Sequence, residues 1–360
     1  MYTEILKIIE GGLDKDKEKV ISYANLLANK LADDGEKSYS ERVLNLIKGK
    51  SVHPVYLDEL MSLPVDQDNR MNIVDVSLPA NNMKIILPEL AKIKVEDFIE
   101  ALKYKEKFEK AGIEVQSSLL LYGPPGCGKT SIAHYISQKT QLPLVVARLD
   151  SLVSSLLGNT SKNIRKIFEF AKKTPCILFL DEFDAIAKAR DDEHELGELK
   201  RVVNSLLQNI DEFNKDNILI AATNHHNLLD VAIWRRFNTI IEIPKPSKDE
   251  VSQLINLYLN EYGYDFCGDD KKSDIIAKLL DGLSPSDIKN ICINSMKRSV
   301  MNDEKKVTSS YLIYETYLFK SQNIFSQKEL AKYLNENGVS QVNIQKILKI
   351  SIRQVRNLLE

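Results

Sequence analysis

Cysteine is scarce in this chain: four among 360 residues, at positions 127, 176, 267 and 292. None of them forms a Cys-x-x-Cys pair and no His-x-His arrangement lies nearby, so neither a disulfide scaffold nor a structural zinc site is expected. An excess of one charge is also missing, since 49 Lys and Arg meet 51 Asp and Glu for a formal net charge of −2. A protein-wide positive field that would dictate a nucleic-acid ligand is therefore absent, and only local patches remain. Long hydrophobic runs are missing too. The apolar stretch around Ile177–Leu180 falls far short of the roughly 20 residues that cross a bilayer. The opening Met-Tyr-Thr-Glu-Ile-Leu-Lys lacks the charged start, apolar middle and cleavage site of a signal peptide. With 43% hydrophobic and 28% charged residues, collagen-like and mostly disordered classes fall away. The expectation is a cytoplasmic protein with no membrane ligand.

Hydrophobic periodicity organises the rest. Val20, Ile21, Ala24, Leu27, Ala28 and Leu31 recur at helical spacing, and Val43, Leu44, Leu46 and Ile47 follow, so residues 1–50 read as helices. Residues 51–83 carry Pro54, Pro64 and Pro79 with an Asp/Asn-rich stretch, a composition for extended linker or irregular strand. Short apolar runs then alternate with helical segments: Leu119–Tyr122, Leu144–Ala147, Cys176–Leu180, Ile218–Ala222 and Thr239–Ile243. This pattern predicts an α/β fold with a five-stranded parallel sheet sandwiched by helices, over residues 84–246. Ligands of such sheets bind beyond the carboxyl ends of the strands. Residues 247–320 read as helices only, with capping signals at Ser247 and Glu250 and at Ser284-Pro285.

One of those strand ends carries Gly123-Pro124-Pro125-Gly126-Cys127-Gly128-Lys129-Thr130, followed by Ser131. The spacing is that of a P-loop, in which glycines let backbone N–H groups close around phosphate oxygens at the positive end of the next helix. Lys129 can reach the β- and γ-phosphates, and the Thr130 hydroxyl can meet Mg²⁺. About fifty residues on, the strand Cys176–Leu180 ends in Asp181-Glu182. A carboxylate there can hold the metal, the role expected of Asp181. Its neighbour Glu182 can orient and polarise an attacking water. At the end of the strand Ile218–Ala222 stand Thr223 and Asn224, and the Asn224 amide can hold that water or a γ-phosphate oxygen.

Together these residues resemble the AAA branch of the AAA+ P-loop ATPases over about residues 84–300. The resemblance implies ATP as the nucleotide, with Mg²⁺, and hydrolysis in a homo-oligomeric ring, a hexamer. It places residues 247–320 as a helical lid, whose Gly282–Ile288 matches the subgroup without a sensor arginine. It also implies that arginines of Leu229–Phe237 reach the nucleotide of the neighbouring subunit. Arg236 matches the family's Arg-Phe-Asp element, with Asn238 in place of the Asp, and Arg235 stands as a second finger at shortened spacing. The family's aromatic-hydrophobic-Gly pore tripeptide is matched by Leu156-Leu157-Gly158, aliphatic instead of aromatic, which favours gentler remodelling of a protein client over processive threading. The layout is further similar to small single-ring AAA proteins of bacteria and phages, some encoded beside a subtilisin-like serine protease, which implies that partner.

Residues 321–360 resemble a helix-turn-helix, with short helices near 341–348 and 352–359. Arg353, Gln354 and Arg356 would lie where DNA bases or phosphates could be met. Six Lys/Arg against three Glu between 326 and 360 make a modest positive charge for that task. The segment reads equally as a protein-docking bundle.

Overall fold

The structure, a computed structural model, describes residues 2–13, 17–47, 64, 72–80, 83–113, 115–149, 157–185, 196–214, 217–322 and 326–360. They fall into two compact units. One comprises 1–85, 90–123 and 129–242; the other comprises 86–89, 124–128 and 243–360.

The first unit opens with α1 (Tyr2–Leu13), α2 (Lys17–Asp33) and α3 (Lys37–Ile47), packed on one another in chain order. Here α1 turns Glu4 and Lys7 inward and leaves Leu6, Ile9 and Leu13 exposed. Burial of the two charges is compensated: Lys30 Nζ reaches Glu4 Oε1 at 2.7 Å and Lys7 Nζ lies 3.2 Å from Glu10 Oε2. After β1 (Asp75–Ser77), α4 (Glu89–Lys103) and α5 (Lys105–Lys110), the chain alternates strand and helix. The strands are β2 (Ser118–Tyr122), β3 (Leu144–Arg148), β4 (Ile177–Asp181), β5 (Ile218–Thr223) and β6 (Thr239–Glu242). Between them lie α6 (Lys129–Thr140), α7 (Leu157–Lys173), α8 (Leu196–Phe213) and the single turn α9 (Val231–Trp234).

The strands form one sheet in the order β1-β3-β4-β5-β2-β6. Five pair in parallel, and β1 lies antiparallel on β3. Five strands were expected, and the described residues form six. The extra one lies inside the Pro-rich, Asp/Asn-rich stretch read as extended linker or irregular strand; it is three residues long, too short for alternation to mark its position, and pairs along the free edge of β3. Leu119–Leu121 and Ile177–Phe179 are fully buried, as strands covered on both faces require. Phe168 meets Phe213 edge-on with centroids 5.4 Å apart, locking α7 to α8 over the sheet. The order brings the carboxyl ends of β4, β5 and β2 side by side.

The second unit is helical: α10 (Lys248–Leu259), α11 (Asp270–Leu280), α12 (Pro285–Met301), α13 (Ser309–Lys320), α14 (Gln327–Glu336), α15 (Gln341–Leu348) and α16 (Ile352–Leu359). Capping boxes start α10 (Ser247/Glu250), α12 (Ser284/Asp287), α14 (Ser326/Glu329) and α16 (Ser351/Gln354). One hydrophobic core runs through all of it: Val251, Leu280, Ile288 and Leu312 join Leu330, Leu334, Ile344 and Val355. The last three helices are thus built into the same core as the helices before them. Among the described residues no helix is long and apolar enough to cross a membrane.

Candidate functional site

The turn after β2 depends on its glycines. Gly123, Gly126 and Gly128 hold φ of 146°, 75° and 96°, values that carry a steric cost for any residue with a Cβ. At Gly126 a Cβ would lie 2.6 Å from Ser284 Oγ, and the Ser286 N–H donates to the Gly126 carbonyl at 3.1 Å, contacts made within the second unit. Lys129, which opens α6, is buried, and its ammonium donates to the Gly123 carbonyl at 2.7 Å. An ammonium drawn back over a glycine-lined turn at a helix N-terminus is the arrangement that receives a polyphosphate.

Next to it, the Thr130 hydroxyl donates to Asp181 Oδ2 at 3.1 Å, joining the start of α6 to the end of β4. The other Asp181 oxygen accepts the Glu182 N–H at 2.9 Å. Glu182 takes the left-handed conformation, φ 54°, and is exposed. For a non-glycine residue this costs about 1–2 kcal/mol, and it turns the chain sharply at the strand end. A hydroxyl and a carboxylate held together supply hard oxygen donors, the chemistry that suits Mg²⁺. The residues present therefore fit a Mg²⁺–nucleotide.

Asp184 is the residue that sequence reading passed over. It is buried, and its Oδ1 accepts from Thr223 Oγ1 at 3.0 Å and from the Asn224 N–H at 3.2 Å. Thr223 Oγ1 in turn accepts the His225 N–H at 3.1 Å, and the Phe183 N–H donates to Ala222 O at 2.9 Å. The ends of β4 and β5 are thereby tied together, with Asp181, Glu182 and Asn224 on either side of the tie. A second aspartate three residues after Asp181 was the available signal.

The two arginines have different surroundings. Arg235 caps the carboxyl end of α9 and is exposed; among the described residues its guanidinium makes no hydrogen bond or ion pair. Arg236 is held. Its Nη1 donates to the Ala232 carbonyl at 2.6 Å and its Nη2 to Asp211 Oδ2 at 3.0 Å. Its Nε faces Asp211 Oδ1 at 2.9 Å as an ion pair, off the angle of a hydrogen bond. Trp234 closes the other side of the turn, edge-on to Tyr122 with centroids 5.5 Å apart. Burial and the Glu242 carboxylate raise the Tyr122 hydroxyl above its ordinary pKa.

Leu156 falls outside the described residues, as does the side chain of Leu157; Leu157 and Gly158 begin α7. Arg353, Gln354 and Arg356 are exposed on α16. Gln354 Oε1, however, accepts the Ser351 N–H at 2.9 Å, and its own N–H donates to Ser351 Oγ at 3.3 Å, so its carbonyl caps its own helix.

Residues 119–245 match the family described as ATPase family associated with various cellular activities (AAA). An uncharacterized AAA family ATPase of Sinorhizobium fredii is 39% identical over 233 residues, 65% of this chain and 66% of that protein. Proteasome-activating nucleotidases of Saccharolobus islandicus and Sulfurisphaera tokodaii are each 34% identical, over 63% and 62% of this chain and 60% and 58% of their own. The chain thus spans about three fifths to just under two thirds of the length of these curated relatives. With the phosphate loop at the end of β2 and the acidic pair at the end of β4, residues 119–245 form a domain of the AAA family of ATPases.

Proposed function

We propose that the protein hydrolyses ATP with Mg²⁺ as an oligomeric ring, a hexamer, in the cytoplasm, and uses the turnover to remodel a protein partner. One observation carries the reading: the Thr130 hydroxyl and the Asp181 carboxylate meet at 3.1 Å beside a buried Lys129. In this reading the backbone of Gly123, Pro124, Pro125, Gly126, Cys127, Gly128 and Ser131 wraps the phosphates, with Lys129 on their outer oxygens. Thr130 and Asp181 hold the metal, which when bound offsets the charge of the phosphate oxygens. Glu182, exposed at the end of β4, orients the attacking water and accepts its proton. Asn224, whose main chain is fixed by Asp184, presents its amide to the water or to a phosphate oxygen. The arginine pair serves the nucleotide of the next protomer, so the site is complete only in the assembly. Within this proposal residues 84–246 form the hydrolytic core and 247–320 the lid.

A relative named as a proteasome-activating nucleotidase supports a protein as the partner class, and a subtilisin-like serine protease is the specific partner to assay by co-purification with the Glu182→Gln variant. The DNA reading draws on the exposed Arg353 and Arg356, and Gln354's engagement as a cap weakens it. ATP turnover tests the main proposal. We expect Mg²⁺-dependent phosphate release by the wild type and a loss of at least about 10²-fold in Glu182→Gln, the scale of removing a general base. Equal turnover in both proteins overturns the assignment.

A further inference from the structure

We infer that Lys245 is a positioning residue for the phosphate loop, acting through the turn that starts α12. The role rests on the nucleotide reading above, and every contact it needs lies within the second unit, to which 124–128 and 243–360 both belong.

Lys245 stands between Pro244 and Pro246, in the stretch that leads to α10. The two rings fix φ on either side of it, and a residue before proline is confined to extended backbone, so the root of the side chain is held. Its ammonium donates to the Gly282 carbonyl at 2.7 Å. Gly282, at φ 75°, lies just past the end of α11, where a left-handed glycine stops a helix and a cation meets its negative end. Among the described residues this is the one side-chain hydrogen bond that residues 281–283 receive. Two residues on, Ser284 caps α12: its Oγ accepts the Asp287 N–H at 3.2 Å and donates to Asp287 Oδ2 at 2.7 Å.

The first turn of α12 keeps no N–H for an anion. Pro285 has none, Asp287 donates to the cap, and Ile288 donates to Ser284 O at 3.0 Å. The remaining one, of Ser286, donates to Gly126 O at 3.1 Å. This helix start therefore acts on the main chain of the phosphate loop and offers none of these donors to phosphate itself. Among the described residues every peptide is trans, and in a trans peptide the C=O and N–H point opposite ways. Holding the Gly126 oxygen thus fixes the direction of the Cys127 N–H, one of the donors that wraps the phosphates in the proposed site. Ser284 Oγ, 2.6 Å from where a Gly126 Cβ would lie, fills the space beside it. A displacement of the turn at Gly282 would move both contacts, and Lys245 is the side chain that restrains that turn.

Affinity for ATP separates this role from a merely stabilising one. In the full-length protein Lys245→Ala should raise KM for ATP about fivefold, the scale of one charge-assisted hydrogen bond near solvent, with kcat nearly unchanged. ATP titrated onto the same change in the Glu182→Gln background should show an equal rise in Kd. Lys245→Arg keeps a cationic donor and should recover most of the loss. Lys245 is exposed, so both variants should keep the wild-type melting temperature. Ser284→Asn gives an independent measurement. Asparagine caps a helix as well as serine does, so α12 should hold, while the longer side chain crowds Gly126 and should raise KM in the same direction. An unchanged KM in Lys245→Ala overturns the inference, as does a rise that Lys245→Arg fails to reverse. A Ser284→Asn protein with wild-type KM takes the start of α12 out of the path and overturns it as well. Wild-type turnover that Glu182→Gln abolishes secures the reaction separately, so any of these results leaves the ATPase reading standing.

Discussion

At Asp184 a carboxylate that is 4% exposed accepts hydrogen bonds from a hydroxyl and a backbone N–H at the end of the neighbouring strand. Leaving such donors buried without an acceptor costs about 1–3 kcal/mol each. Asp184→Ala should therefore lower the unfolding free energy by about 2 kcal/mol or more. The effect on chemistry should be separable from that on stability. Once Thr223 and Asn224 lose their tether, kcat should fall roughly tenfold while KM for ATP changes little, because the phosphate loop is built from other residues. Asp184→Asn keeps one acceptor oxygen and should lie between. Denaturant midpoints with turnover at 25 °C check both, and an Asp184→Ala protein with wild-type kcat removes the tether from the mechanism. Glu182 makes the complementary case. Its left-handed backbone is costly, and it leaves the residue exposed at the strand end, where the proposed reaction needs it.

Among the elements, α6 joins the site to the core and carries a group sensitive to pH. Burial depresses the His134 imidazole below its ordinary value, near 6.5 in model peptides. The sign follows from linkage. Between the folded value and about 6.5 the unfolded chain binds a proton that the folded protein refuses, so His134 favours unfolding as pH falls through that window. Above it, His134 contributes no pH dependence. Urea midpoints should fall more steeply from pH 7 to pH 5 in the wild type than in His134→Gln, and parallel profiles refute this. How much of these elements the sequence discloses depends on which forces shaped them. β2 to β6 lie within a residue or so of the five apolar runs, because a strand buried on both faces must be apolar along its length. The glycine spacing and Asp181-Glu182 are local and equally readable. β1 is not, since three residues on an edge leave no periodic trace. Nor are the couplings of Asp184 to Thr223, 39 residues apart, and of Arg236 to Asp211, 25 apart. They exist only once the strand order is set, and residue spacing does not encode them.

At the scale of the whole molecule, the C-terminal helices are part of a fold before they are part of any ligand site. Leu330, Ala331, Leu334, Val339, Ile344 and Val355 are all at most 4% exposed in the core that also holds Val251 and Leu280. Ending the chain at Ser321 removes those six side chains and uncovers their partners on the remaining helices. At about 1.5–3 kcal/mol for each large apolar side chain whose burial is lost, the loss is comparable with the 5–15 kcal/mol that typically separates folded from unfolded domains. The shortened chain should therefore melt its second unit well below the wild-type temperature or aggregate, and a change in DNA affinity after truncation would report unfolding. Charge reversal at the exposed positions avoids this. Arg353→Glu with Arg356→Glu touches no core residue and should leave the melting temperature unchanged. If the tail meets phosphates, each reversal should weaken duplex binding and flatten its salt dependence by about one unit of slope. If it docks to protein, duplex affinity should be equally low before and after. Calorimetry of the truncated chain decides the structural half of the argument: a wild-type transition for residues 243–321 would mean that the last three helices are an appendage.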